Sequence, residues 1–122
     1  MTNHNKQLGK WGESLAEKYL QEHSITIVER NVYTPHGELD LVGRDTAGLI
    51  FFEVKTRTNM KFGYPEVSVN QRKQSHLTQS ALFYMQNHPE ETGGWRIDVI
   101  AIQKTSTPED PFQIEWFKNA VQ

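Results

Sequence analysis

The sequence predicts a three-layer α/β domain in which a central mixed β-sheet is flanked by helices, in the order helix, three strands, helix, strand, strand (αβββαββ). Two long segments carry apolar residues at helical spacing. Between and after them lie short runs of β-branched and aromatic residues, bounded by proline and glycine turns. The order of these segments gives the layers. With 122 residues, 36% of them hydrophobic and 23% charged, the composition suits one globular domain.

The first helix is expected from about Lys6 to His23, where Leu8, Trp11, Leu15, Ala16 and Tyr19 form one apolar stripe. Ile25-Thr26-Ile27-Val28 is β-branched and short, and reads as a strand. Thr34-Pro35-His36-Gly37 turns the chain, because proline pre-sets one φ and glycine accepts a positive one. Glu38 to Val42 is the second strand, and Arg44 to Gly48 turns again. Leu49 to Thr56 is the most apolar strand and belongs in the middle of the sheet. A loop from about Arg57 to Val67 follows, with Gly63 and Pro65. Ser68 and Gln71 form a capping box for a second helix that runs to about Asn87, before Pro89 and Gly93-Gly94. Trp95 to Ile102 and Phe112 to Trp116 complete the sheet.

Side chains on a strand alternate in facing. Glu38 and Asp40 are therefore expected on one face and Leu39 and Leu41 on the other. Leu49, Phe51, Glu53, Lys55 and Arg57 share a face that begins apolar and becomes charged. A carboxylate beside Phe51 on a buried strand loses hydration, and several carboxylates together repel one another. A hard cation such as Mg²⁺ or Mn²⁺ removes both problems, since it takes oxygen ligands. Asp40 and Glu53 are the expected ligands, with the Val54 carbonyl as a further oxygen and Glu38 as an auxiliary. Lys55 would orient a water and meet charge developing on a phosphate. A carboxylate two places before a lysine arises roughly once by chance in a chain of this length, and a surface pair of that kind is worth about 0.5 kcal/mol. The apolar flanks of Glu53 and the acidic pair on the preceding strand set this case apart.

Asp40, a hairpin spacer and then Glu53-Val54-Lys55 resemble the PD-(D/E)XK, or restriction-endonuclease-like, superfamily. More closely, the chain resembles the YraN family of small bacterial endonuclease-like proteins, which are similar to Holliday-junction resolvases. The motifs involved are Gly12-Glu13 with Ala16, Arg30-Asn31, Gly37 to Val42, Phe52 to Arg57, and Arg96 to Ile100. Leu39 stands where the superfamily motif has its proline. The resemblance implies a restriction-endonuclease-like fold, a metal-dependent nuclease site and DNA, branched or otherwise structured, as substrate. It also implies a site role for Glu13, because resolvase-like relatives aim a glutamate of the first helix at the metal. The apolar stripe alone reads Glu13 as solvent-facing.

On the second helix, Asn70, Lys73 and Gln74 fall on the side of Leu77, Ala81 and Tyr84, so Lys73 and Gln74 are placed to meet a phosphate at the positive helix end; the alternative is that Lys73 lays its stem on the core and sends its amine to solvent. Arg57, Lys61, Arg72 and Lys73, with Phe62 and Tyr64, make a local basic and aromatic rim in a chain of net charge −2. The alternative for that stretch is a solvated loop with one anchoring aromatic. Asp98 beside Arg96 reads as a structural ion pair, and the five histidines have no metal-ligand spacing. The mild acidity and small size favour a weak binder, or one that works as a homodimer or with a protein partner. A second reading is a catalytically inactive module of the same fold that binds DNA or a protein. No apolar run spans a membrane, the N-terminus lacks an apolar signal core and cysteine is absent, so the expected location is the cytoplasm.

Overall fold

The structure is a computed structural model that describes residues 3–58 and 70–121. Helix α1 (Asn3–Glu22) precedes strands β1 (Thr26–Thr34), β2 (Gly37–Asp45) and β3 (Gly48–Arg57), then helix α2 (Gln71–Gln86) and strands β4 (Gly94–Lys104) and β5 (Phe112–Val121). The five strands form one sheet in the order β1-β2-β3-β4-β5. Among these, β3 and β4 run parallel; the other neighbours are antiparallel. The mixed sheet, its central β3 and the expected element order are therefore all present. No described helix is long and apolar enough to cross a membrane.

Each helix covers one face, and β3 shows why. Its Ile50 and Phe52 pack toward α1, with Ala16, Leu20, Ile100 and Ile102. Leu49 and Phe51 pack toward α2, with Leu77, Ala81, Tyr84 and Ile97. Both phenylalanines are fully buried. Strand alternation thus feeds two cores from one segment.

Helix α1 ends in a Schellman turn. Ser24 adopts φ 69°, the Ile25 N–H returns to the Leu20 carbonyl at 3.0 Å, and Ile25 packs into the same core as Leu20. Helix α2 begins differently from the sequence expectation. Its N-cap is Asn70, whose side chain accepts from the Lys73 N–H at 2.9 Å, and Gln71 is the first helical residue. Ser68 of the expected capping box lies outside the described residues, and the cap position is held by Asn70.

One facing expectation is overturned. Leu39 belongs to the core under α2 and Leu41 to the core under α1, so the two do not share a face. Strand β2 turns about its axis between them. Its pairing with β3 starts at Leu41↔Phe52 and continues toward Asp45↔Gly48, with no partner in β3 for Gly37 to Asp40. Those four residues remain beside β1, as far as Thr34↔Gly37. Meanwhile β3 stays paired with β4 through Arg57↔Gln103. The sheet forks at the level of Asp40 and Glu53.

Strand β1 bends at the same level. Asn31, between the paired Arg30 and Val32, takes φ 50°, a region that Asn tolerates better than most residues. The released β1–β2 hairpin leans on α2, where Thr34 and Ser80 hydroxyls lie 2.9 Å apart. Tyr84 of α2 also donates to Glu29 of β1 at 2.7 Å.

Gly12 brings α1 close to β3. A Cβ there would lie 2.0 Å from Thr56 Oγ1 and 3.1 Å from Thr56 Cβ. A glycine inside a helix costs about 1 kcal/mol relative to alanine, and this close approach is what it permits. Gly12→Val is expected to destabilise the fold by about 2–3 kcal/mol through overpacking. Urea unfolding checks this, and an unchanged midpoint would show that α1 can retreat freely.

Candidate functional site

The fork gathers residues from five elements. Asp40 on β2 is 8% exposed and Glu53 on β3 is 3% exposed. The Asp40 carboxylate takes the Val54 N–H at 2.8 Å, bridging the gap where backbone pairing between β2 and β3 has stopped. The buried Glu53 carboxylate is the strongest charged influence on Asp40. Burial and the neighbouring Glu53 push the Asp40 carboxyl far above its ordinary range, with Glu13 adding to the effect.

Glu13, on α1 directly after Gly12, reaches this point from the opposite side of the sheet. One carboxylate oxygen from each of Glu13, Glu38 and Asp40 lies within 4.8 Å of the other two. Burial raises the Glu13 carboxyl, and Glu38 and Glu53 raise it further, against a hydrogen bond from Asn31. That bond, Asn31 Nδ2 to Glu13 Oε1, measures 3.1 Å. One helical turn on, Arg30 of β1 pairs with Glu17 of α1. The two links hold α1 across the base of the fork. Helical periodicity alone makes Glu13 solvent-facing; it is half-buried and faces acids.

Two lysines approach from the α2 side. Lys73 Nζ lies 3.0 Å from Glu53 Oε2, and Lys55 Nζ lies 3.7 Å from the same oxygen. Among the described residues, Glu13, Glu38, Asp40 and Glu53 outnumber the two ammonium groups that reach them. Convergent carboxylates with too few partners are the chemistry of a hard-cation site, because oxygen ligands and a divalent charge resolve the repulsion. Among the described residues the donor set contains no thiolate or imidazole, which disfavours the softer transition metals.

Beside the acids, a cleft of about 550 Å³ is bordered by Glu13, Val54, Lys55 and Arg57. Arg57 is half-buried at its edge and Arg72 is exposed on the first turn of α2. Gln74 is half-buried on the following turn. Lys61, Phe62 and Tyr64 of the expected basic and aromatic rim lie outside the described residues.

A family profile described as "Uncharacterised protein family UPF0102" matches residues 12–102. The chain belongs to the UPF0102 family. UPF0102 proteins of Dehalococcoides mccartyi and Geobacter metallireducens are 39% and 41% identical to it. These matches cover 99% and 100% of this chain, and 98% of each relative. A UPF0102 protein of Marinobacter nauticus is 40% identical over 97% of this chain and 94% of its own length. The matched span of this UPF0102 chain runs from Gly12 to Ile102 and so includes every acid of the fork.

Two contributors to the UPF0102 site have no counterpart among the sequence expectations. Tyr33 stands opposite Glu38 across the β1–β2 ladder, and that carboxylate raises the pKa of the phenol while the ring stays exposed. Asn31 stands out in the sequence only as part of a motif, yet it supplies both the left-handed bend and the donor to Glu13. An Asn inside a strand is the available signal for it. Asp98 stands apart from the fork, fully buried and held by Arg96, Trp116 and Asn119.

Proposed function

We propose that this protein is a Mg²⁺- or Mn²⁺-dependent endonuclease that hydrolyses phosphodiester bonds in DNA, with a site of the PD-(D/E)XK type. The observation that carries this reading is the carboxylate cluster at the sheet fork, with Lys55 beside it. Glu13, Glu38 and Asp40 would hold the cation, with Glu53 and the Val54 carbonyl as the adjoining oxygens. The cation supplies positive charge at the phosphate and lowers the pKa of a bound water.

The rest of the chemistry lies in the chain's own groups. The Asp40 carboxyl, protonated more readily than usual, must lose its proton before it can act as a ligand. The Val54 N–H then fixes its orientation. The Lys55 ammonium, on the same strand face as Glu53, orients the attacking water and stabilises charge on the phosphoryl oxygens. Arg57 and Arg72 border the site and neutralise flanking phosphates. An exposed Tyr33 ring beside Glu38 offers a surface on which an unpaired base can stack, which favours flapped or branched DNA over a plain duplex.

The test is cleavage of labelled linear, flap and four-way-junction DNAs with Mg²⁺ or Mn²⁺. Wild type is expected to cut at least one, and Glu53→Ala to lower the rate by about 100-fold or more. If nothing is cut and Glu53→Ala behaves like wild type, the catalytic reading fails. Retained DNA binding in that case would favour an inactive module of the same fold.

A further inference from the structure

Glu53 is the most buried acid of the fork, yet it lies outside the trio whose oxygens mutually approach within 4.8 Å. Its Oε2 is instead held by Lys73 Nζ at 3.0 Å. Lys73 comes from a different element than every acid of the site, and its side chain is 38% exposed at the mouth. Its long stem lets the ammonium move without moving the backbone.

Its place on α2 is unusual in its own right. Lys73 sits in the first helical turn, two residues after Gln71, and its own N–H is taken by the Asn70 cap. A cation at this end of a helix meets the positive pole of the macrodipole, whereas an anion is favoured there. The first turn holds no acidic residue to offset the lysine. The pairing with Glu53 is what compensates the placement.

We infer that Lys73 is a displaceable counter-ion and a positioning residue. In the metal-free protein it neutralises Glu53; when a divalent cation binds, Glu53 turns to the cation and Lys73 is released. The freed ammonium, together with the N-terminal end of α2, then takes a phosphate oxygen of the DNA strand. Metal loading and DNA engagement are thereby coupled through one side chain. This rests on the metal reading above, and the experiment separates the two.

Mn²⁺ is titrated by calorimetry into wild type, Lys73→Gln, Lys73→Arg and Arg72→Gln. If the paired state dominates, removing the lysine raises apparent Mn²⁺ affinity by about 5–10-fold, because the binding-competent fraction rises. Lys73→Arg keeps an ion pair and stays near wild type. Arg72→Gln removes the same charge from the exposed neighbour and shifts affinity by less than about twofold, as expected for a screened surface group. In Ca²⁺, Lys73→Gln binds a labelled four-way junction several-fold more weakly than wild type does. A merely structural lysine would give weaker Mn²⁺ binding on removal, which overturns the inference. So does an Arg72→Gln gain equal to that of Lys73→Gln, since bulk charge would then explain both. Wild type that takes up no Mn²⁺ overturns the metal reading and this inference with it, whereas uptake by wild type without a Lys73→Gln gain overturns only the latter.

Discussion

Asp40→Asn is expected to abolish Mn²⁺ uptake and, without metal, to make the protein more stable, increasingly so as the pH rises. The sign follows from the raised carboxyl. A group whose folded-state pKa lies above its unfolded value contributes stability that is fully present below the unfolded value, here 3.8. That contribution is lost as pH rises through the folded value, which burial and Glu53 push to about 9. Asparagine does not ionise, and its side-chain carbonyl can still accept the Val54 N–H. Near pH 4 the variant should match wild type. At pH 8 it should be more stable by about 1–3 kcal/mol, since a tenfold difference in proton affinity between the folded and unfolded chain is worth about 1.4 kcal/mol. For a domain of this size that is a Tm increase of about 4–10 °C. Thermal melts at the two pH values, with and without Mn²⁺, check it. A variant less stable than wild type by the same margin at both would make Asp40 a structural acceptor rather than a strained carboxylate. In wild type, Mn²⁺ affinity should rise over the same pH window, because the Asp40 proton must leave when the cation binds.

The core of this site is legible in the sequence because β3 obeys simple alternation. Leu49 and Phe51 face α2, and the same face carries Glu53 and Lys55, so both groups follow from spacing alone. The fork is not legible. It arises where pairing between β2 and β3 stops before Asp40, and where Asn31 leaves the extended region, and neither event has a periodic signature. Alternation through Leu39 and Leu41 fails at the same place, since it assumes a regular ladder on both sides of the strand. Glu13 is hidden because a helical wheel marks what faces the sheet, not what overhangs its edge. Gly12 is its better indicator: an interior helical glycine signals close approach, and the residue after it lies where the helix touches β3. The start of α2 is ambiguous in principle. Ser68 and Asn70 are both good caps, and only three-dimensional placement selects Asn70.

A second buried aspartate gives the opposite expectation to Asp40. Asp98 is 0% exposed, so it is as buried as any residue in the fold. Its two oxygens accept from Arg96 Nε at 3.0 and 3.2 Å, from Trp116 Nε1 at 2.9 Å and from the Asn119 N–H at 2.7 Å. These donors hold the edge of the sheet together. Asn119 adopts φ 53° where the β4–β5 register slips between Ile97↔Val121 and Val99↔Phe117, so the carboxylate replaces the ladder partner lost there. Removing it strands a guanidinium, an indole N–H and a backbone N–H without an acceptor. Asp98→Ala should therefore cost about 3–5 kcal/mol, the range for breaking a buried charged pair, and lower Tm by about 10–20 °C. Asp98→Asn should recover only part of this, because its amide presents hydrogens toward donors. Two buried aspartates of one sheet then respond to the same Asn substitution with opposite signs. The difference lies in their neighbours: Asp98 meets only donors, while Asp40 meets one donor and other acids. If chemical denaturation found Asp98→Asn as stable as wild type, the register slip in β5 would need another anchor, and Asp98 would become a candidate for a role beyond structure.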